Sequence, residues 1–218
     1  MKHLIAVYGA SGFGREVMPL ARHSARAASG DDDTIELVFV DDGYACGEVN
    51  GHRLLTYAQF LAEPAGRRSA TLAIANSSVR ERLATQCVAD GVEPFEVVAA
   101  NACVLDSNAI GEGAILCGFT TVTSNVRIGR YFHANIYSYV AHDCVLGDFV
   151  TLAPSVKVNG NVVVEEHAYI GTGAIIKQGS PGNPLVIGKR AVIGMGAVVT
   201  KSVPAGATVV GNPARIRE

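Results

Sequence analysis

From Val104 onward an aliphatic side chain recurs every six residues, and few folds can accept that spacing. The positions are Val104, Ile110, Leu116, Val122, Ile128, Ala134, Val140, Leu146, Leu152, Val158, Val164, Ile170 and Ile176, and twelve of the thirteen are Ile, Leu or Val. A second column, four residues further on in each step, is mostly small or aliphatic, as at Ala114, Val126, Cys144, Val150, Val156, Val162, Ala168 and Ala174. Glycine often follows the aliphatic residue, at Gly111, Gly129, Gly147 and Gly171. There it is expected to supply the positive φ of a corner. The register breaks after Ile176 and resumes at Ile187, Ile193 and Val199, which requires five additional residues, carried by Gln178-Gly-Ser-Pro-Gly-Asn-Pro184. Gly and Pro cluster there as in a loop leaving a regular coil.

A helix repeats every 3.6 residues and a flat strand every two. A strict period of six fits a parallel β-helix, with a short strand and a turn in each step. Composition agrees: 24 Gly and no Trp among 218 residues suit many short turns between β-branched strands. An apolar fraction of 49% with 17% charged residues gives material for a core. The net charge of −2, with no Lys/Arg-rich run, sets nucleic acid aside. No apolar run reaches membrane-spanning length, and Met1–Gly9 is too short and too lightly charged for a secretory signal. Five cysteines without a CxxC pair read as reduced thiols of a cytoplasmic protein.

The first half has another character. Residues 4–8, Leu-Ile-Ala-Val-Tyr, read as a buried strand, followed by Gly9-Ala-Ser-Gly-Phe-Gly14 and an apolar-periodic helix from Arg15 to about Ala28. Strand, glycine loop and helix N-terminus together make a phosphate-binding arrangement. The glycines stand as GxxGxG, which is not the dinucleotide fingerprint. A second strand, Ile35 to Val40, ends in Asp41-Asp42, whose carboxylates suit a ribose or a base edge. A third, Thr71 to Ala75, ends at Asn76-Ser77-Ser78 before a helix carrying Arg80. The three loops lie at strand C-terminal ends, the ligand edge of a parallel sheet. The run Asp31-Asp32-Asp33 reads as a solvated loop.

The repeat resembles that of the hexapeptide-repeat superfamily over residues 98–213, including the closing Val209-Val-Gly-Asn-Pro-Ala214. The resemblance implies a left-handed β-helix with three faces and 18 residues per coil. The motifs Tyr8-Gly-Ala-Ser-Gly-Phe-Gly14, Phe39-Val-Asp-Asp42 and Ala73-Ile-Ala-Asn76 are similar to those of one branch, in which a small Rossmann-like domain precedes the β-helix. That branch holds nucleotide-sugar N-acetyltransferases of the bacillosamine and perosamine pathways and related sialic-acid O-acetyltransferases. It implies an α/β domain over residues 1–97 and an all-β domain over 98–218. It also implies acetyl-CoA as co-substrate, a nucleotide-linked amino sugar as acceptor, no metal, and a homotrimer with its sites between adjacent β-helices. Ser11, Gly12, Phe13, Asp41, Asp42 and Asn76 are then the substrate-binding residues. Phe13 stands where many relatives carry His.

On an 18-residue coil Ser124, His142 and Gly160 stack along one edge, as do Asn125, Asp143 and Asn161. An imidazole titrates near neutrality and accepts the proton an attacking amine gives up. A neighbouring carboxylate fixes its tautomer and favours the charge it gains. A glycine lets a ligand approach the backbone, where an N–H can meet the oxyanion. The residues alone leave open a plain polar pair on a turn, whereas the resemblance implies a catalytic His142 and Asp143. By the same resemblance the coenzyme A contacts fall at Thr151, Gly160, Thr172 and Met195, with Thr151 standing where relatives often have His. His133, His142 and His167 share no stacking register, so a zinc site of the carbonic-anhydrase kind is not expected. The expected activity is N-acetylation of a 4-amino-4,6-dideoxy sugar on a nucleotide. O-acetylation of the sialic-acid type is the second reading, and a non-catalytic sugar-nucleotide scaffold the third.

Overall fold

The computed structural model describes residues 2–28, 34–44 and 47–217, so Asp31–Asp33 and Cys46 lie outside the described residues. The chain divides into two compact units, Met1–Ala100 and Asn101–Glu218.

The first unit is a mixed sheet with helices. Its strands are β1 (Lys2–Tyr8), β2 (Thr34–Val40), β3 (Gly47–Val49), β4 (His52–Leu55), β5 (Arg67–Leu72) and β6 (Glu93–Pro94), in the spatial order β3-β4-β2-β1-β5-β6. All neighbouring pairs are parallel except β3 and β4. Leu4 to Val7 are wholly buried, as a continuous apolar run in a sheet covered on both faces should be. The helices are α1 (Gly12–Ala28), α2 (Tyr57–Ala62) and α3 (Ser77–Ala89). α1 begins at Gly12, three residues before the expected Arg15, because the main chain turns into helix as soon as it clears the strand. α2 is started by a capping box, with Thr56 and Gln59 bonding each other's main-chain N–H.

The second unit is a parallel β-helix. Strands such as Ile115–Leu116, His133–Ala134 and Thr151–Leu152 pair along one face. Thr121–Val122, Tyr139–Val140 and Lys157–Val158 pair along a second, and Arg127–Ile128, Val145–Leu146 and Val162–Val164 along a third. Partners are 18 residues apart until Val164, which pairs with Ile187, so the five-residue insertion sits between the second face and the third. The six-residue column points inward from Leu116 to Val199 and, with the second column, fills one continuous core. The Ala134 exception follows Phe132, whose ring is buried two residues earlier.

The glycines need a different explanation from the one expected. The corner residues at positive φ include Phe119, Asn125, Tyr131, Tyr137, Asp143, Phe149, Ser155, Asn161 and His167, together with Gly113, Gly173 and Gly196. Gly111, Gly129, Gly147 and Gly171 are not among them; they lie where successive coils touch. A Cβ on Gly147 would stand 2.7 Å from the Glu166 nitrogen, and one on Gly171 would stand 2.7 Å from the Ile193 carbonyl oxygen. Close stacking, not turn conformation, excludes a side chain there. Bulky residues in the left-handed region are uncommon. Here the exposed rings of Phe119 and Tyr137 stack at 4.9 Å, and Phe149 stacks at 5.4 Å on Tyr131 and 5.3 Å on His167.

Candidate active site

His142 stands on the corner between the second and third faces. Its Nδ1 lies 2.8 Å from Asp143 Oδ2, with the two side chains 61% and 48% exposed. A carboxylate only accepts, so in the neutral ring Nδ1 carries the hydrogen and Nε2 the lone pair. Asp143 sits at φ 58, a conformation that Asp and Asn tolerate better than most residues. The stack expected from the 18-residue coil is present: Asp143 N–H donates to the Ser124 carbonyl, Asn161 N–H to that of His142, and Gly179 N–H to that of Gly160. Gly160, one coil further on, lies against the imidazole. A Cβ there would stand 2.5 Å from His142 Cε1 and 2.6 Å from Nε2, so the ring occupies the space that the glycine leaves.

Sequence reasoning missed the polar support of this corner. Tyr139 Oη donates to Asn159 Oδ1 at 2.8 Å, and the Asn159 side-chain NH2 donates to the Ile176 carbonyl at 2.8 Å. The Cys144 thiol donates to the Asn159 carbonyl at 3.1 Å. Burial pushes that thiol up to about 11, which keeps it a neutral filler under His142 rather than a nucleophile. The signal for Asn159 was present: it precedes Gly160 and lies within one coil of His142.

Further along the corner, the five-residue insertion opens a groove of about 410 Å³, lined by Lys177, Gln178, Ser180, Asn183, Thr200 and Lys201 among others. Ile175 pairs with Val198 and Ile176 with Val199, which carries Thr200 beside Lys177. The lining has two lysines and no carboxylate.

The other expected coenzyme A contacts lie elsewhere on the β-helix. Thr151 is buried on the first face between His133 and Tyr169. Thr172 and Met195 belong to the corner between the first and second faces, where Gly196 N–H donates to the Thr172 carbonyl and the Met195 side chain is 81% exposed. A single chain therefore brings Gly160 to His142, but not Thr151, Thr172 or Met195.

The six expected substrate residues do share one sheet edge. Gly9, at φ 106, directly follows β1, and a Cβ on Gly14 would fall on the Gly9 carbonyl, so α1 can start against the strand only through two glycines. Ser11 accepts the Arg15 N–H, and Gly12, with nothing near its Cβ position, opens the helix beside Phe13. Asp41 and Asp42, however, already work as loop fasteners. Asp41 accepts from Ala10 N–H at 2.9 Å and Gly43 N–H at 3.0 Å, and Asp42 from Tyr8 Oη at 2.7 Å and Tyr57 N–H at 2.8 Å. Burial and the Asp42 carboxylate push the Tyr8 phenol upward. The side-chain oxygen of Asn76 caps α3, accepting from Ser78 and Val79 N–H.

Comparison with known proteins adds identity to this geometry. The PglD N-terminal domain model matches residues 4–87. The GDP-perosamine N-acetyltransferase of Escherichia coli O157:H7 is 51% identical over 186 residues, 85% of this chain and 83% of that enzyme. The chain belongs to the PglD-type hexapeptide-repeat sugar N-acetyltransferase family. Two solved structures related to this sugar N-acetyltransferase match along nearly its whole length. WeeI from Acinetobacter baumannii AYE has a TM-score of 0.93 and 57% identity, covering 99% of this chain and all of that one. The acetyltransferase domain of PglB from Neisseria gonorrhoeae FA1090, solved in complex with acetyl coenzyme A, has a TM-score of 0.87 and 29% identity over 100% of both chains.

Proposed function

We propose that this sugar N-acetyltransferase moves the acetyl group of acetyl-CoA to the 4-amino group of a GDP-linked 4-amino-4,6-dideoxy sugar, GDP-perosamine. The observation that carries the reading is the bonded His142–Asp143 pair on an open corner, with its Nε2 lone pair free to accept a proton. The sugar and its nucleotide follow the 51% identical relative.

In this reading Nε2 of His142 takes a proton from the amine as the nitrogen bonds to the thioester carbonyl carbon. Asp143 holds the ring through Nδ1 and favours the imidazolium. The tetrahedral centre then reforms its carbonyl, the C–S bond breaks, and the departing sulfur receives the proton from His142. The corner groove suits the other end of the co-substrate. Gly160, Gln178 and Lys201 are successive steps above His142, about 14 Å in all at strand spacing. The pantetheine arm spans about 15 Å from sulfur to diphosphate at extended-chain rise. Lys177 and Lys201 then meet the phosphates.

Thr151, Thr172 and Met195 complete the site only if another copy of the chain supplies them, which supports a homotrimer with sites between β-helices. Ser11, Gly12, Phe13, Asp41, Asp42 and Asn76 hold the nucleotide part of the acceptor, with the acids acting mainly by shaping the loops. A cytoplasmic setting suits both substrates and the free thiols at Cys87, Cys103, Cys117 and Cys144.

The test is thiol release from acetyl-CoA with the purified protein and a panel of nucleotide-linked amino sugars. GDP-perosamine is expected to lead the panel, and its product to resist mild alkali as an amide does. An alkali-labile product assigns O-acetylation, and no thiol release with any amino sugar overturns the reading. Light scattering at micromolar concentration is expected to give the mass of three chains.

A further inference from the structure

Arg80 is wholly buried, the largest side chain so enclosed among the described residues. It lies in the first turn of α3, its own N–H donating to the Asn76 carbonyl. Burial works against its charge and pushes the guanidinium down to about 9. The positive end of the helix opposes a cation in the same place. A cation held against two such penalties needs favourable bonds, and the guanidinium makes them by turning back to the loop in front of its helix. Its Nη1 donates to the Ile74 carbonyl at 2.6 Å and reaches that of Ala75 at 3.4 Å.

That loop leads from β5 to α3, and it touches the glycine loop after β1. Ala73 N–H donates to the Tyr8 carbonyl, and a Cβ on Gly9 would stand 2.9 Å from the Ala73 oxygen and 3.0 Å from Ile74 Cδ1. Gly9 in turn carries the start of α1, through its contact with Gly14. A shift of Ile74 or Ala75 is therefore passed to the Gly9–Gly14 turn and to Asn76, on the edge assigned above to the nucleotide.

We propose that Arg80 is a positioning residue for the nucleoside-diphosphate part of the acceptor, fixing from inside the fold the loop against which the glycine turn is set. This rests on the acceptor reading of the preceding subsection. Arg80 touches no substrate in this account; it acts through the Ile74 and Ala75 carbonyls. An ordinary core residue would affect folding and both substrates together. A positioning residue for this edge affects one substrate.

The experiment compares Arg80→Met and Arg80→Lys with the native enzyme, varying GDP-perosamine and acetyl-CoA separately and following melting alongside. Arg80→Met is expected to raise KM for the nucleotide sugar at least tenfold, with KM for acetyl-CoA and kcat at saturation within twofold. Arg80→Lys keeps one donor toward Ile74 and is expected to recover part of that loss. A folded Arg80→Met enzyme with unchanged KM for the sugar overturns the proposal, as do equal rises in both KM values. Should Arg80→Met not fold, the same split is read on Arg80→Lys alone, where equal effects on the two substrates overturn it. Calorimetric titration with GDP separates this from the acceptor reading. If no amino sugar is acetylated yet GDP binds the native protein at least tenfold more tightly than the variants, the acceptor reading fails and Arg80 keeps its role. GDP binding equal in native protein and variants removes that role.

Discussion

The imidazole of His142 occupies the volume that a side chain on Gly160 would fill, with Cε1 2.5 Å and Nε2 2.6 Å from the Cβ position. The clash is with a rotatable ring and not with main chain, and Gly160 is not at positive φ, so Gly160→Ala should fold. The ring must swing away from the stack, and its Nε2 leaves the place where the amine arrives. We expect kcat to fall by about 10- to 100-fold, since small displacements of a positioned group have effects of this size. The melting midpoint should move by no more than a few degrees. Native turnover in Gly160→Ala would mean that the ring orientation seen here is not the working one.

Asp143 has a conformational task and a chemical one, and two substitutions separate them. Asn tolerates the left-handed region, so Asp143→Asn keeps the turn at φ 58 and removes the carboxylate. Asp143→Ala adds backbone strain of about 1 kcal/mol. We expect both to lose at least tenfold in kcat, with only Asp143→Ala clearly less stable in urea. His142→Ala should lose at least about a hundredfold, the usual contribution of a general base. If Asp143→Asn turned over like the native enzyme, the 2.8 Å bond to Nδ1 would have no part in the reaction.

The repeat made the second unit legible, because a β-helix core samples the sequence at a fixed step. Val122, Leu146 and Ile170 could be set inside from their spacing, and His142 on a corner, before any coordinates. Spacing gives a position around the coil, but not what the next coil presents to it. This is why Gly147 was read as a turn former when the Glu166 main chain decides it. The stacked rings of Phe119 and Tyr137 have the same origin, two turn residues whose partnership exists only between coils. In the first unit β1, β2 and α1 announced themselves by long apolar patterns, while β3, β4 and α2 are too short to carry one. His52 opens β4, 2.9 Å from Arg22 and edge-on to the Phe39 ring, a setting made by residues distant in sequence. Asp41 and Asp42 were legible as residents of the ligand edge. That their oxygens are already bonded to Ala10, Gly43, Tyr8 and Tyr57 depends on four chain segments meeting.

Two glycines of the β-helix distinguish contact from conformation. A Cβ on Gly147 meets the Glu166 nitrogen at 2.7 Å and its Cα at 3.0 Å, and main chain cannot give way cheaply. Gly173 has φ +70 and nothing within 4 Å of its Cβ position. Gly147→Ala is expected to lose about 1–3 kcal/mol, the range for overpacking. Gly173→Asn, which puts a tolerant residue in an open left-handed site, should lose less than about 1 kcal/mol. Urea midpoints of the two variants check the order, and a reversed order would return the glycines to the role of turn formers.

Cys144 gives a pH dependence whose sign can be worked out. Its folded-state pKa is raised by burial to about 11, from an ordinary value near 9. Below pH 9 the thiol is neutral in both states and the site is at full stability. Between pH 9 and 11 the unfolded chain releases the proton while the folded chain holds it, so stability is lost as pH rises. Near pH 10.5 the loss is about 2 kcal/mol for this one group. Cys87, Tyr8 and Tyr57 are also raised by burial and act in the same direction, so the native protein alone does not isolate it. The comparison is with Cys144→Ala, which pays a constant cavity penalty at every pH but has no thiol to ionise. Urea midpoints at pH 7 and pH 10.5 should therefore converge between native and variant as pH rises. A difference that stays constant across that range would mean that the thiol is reached by water in the folded protein.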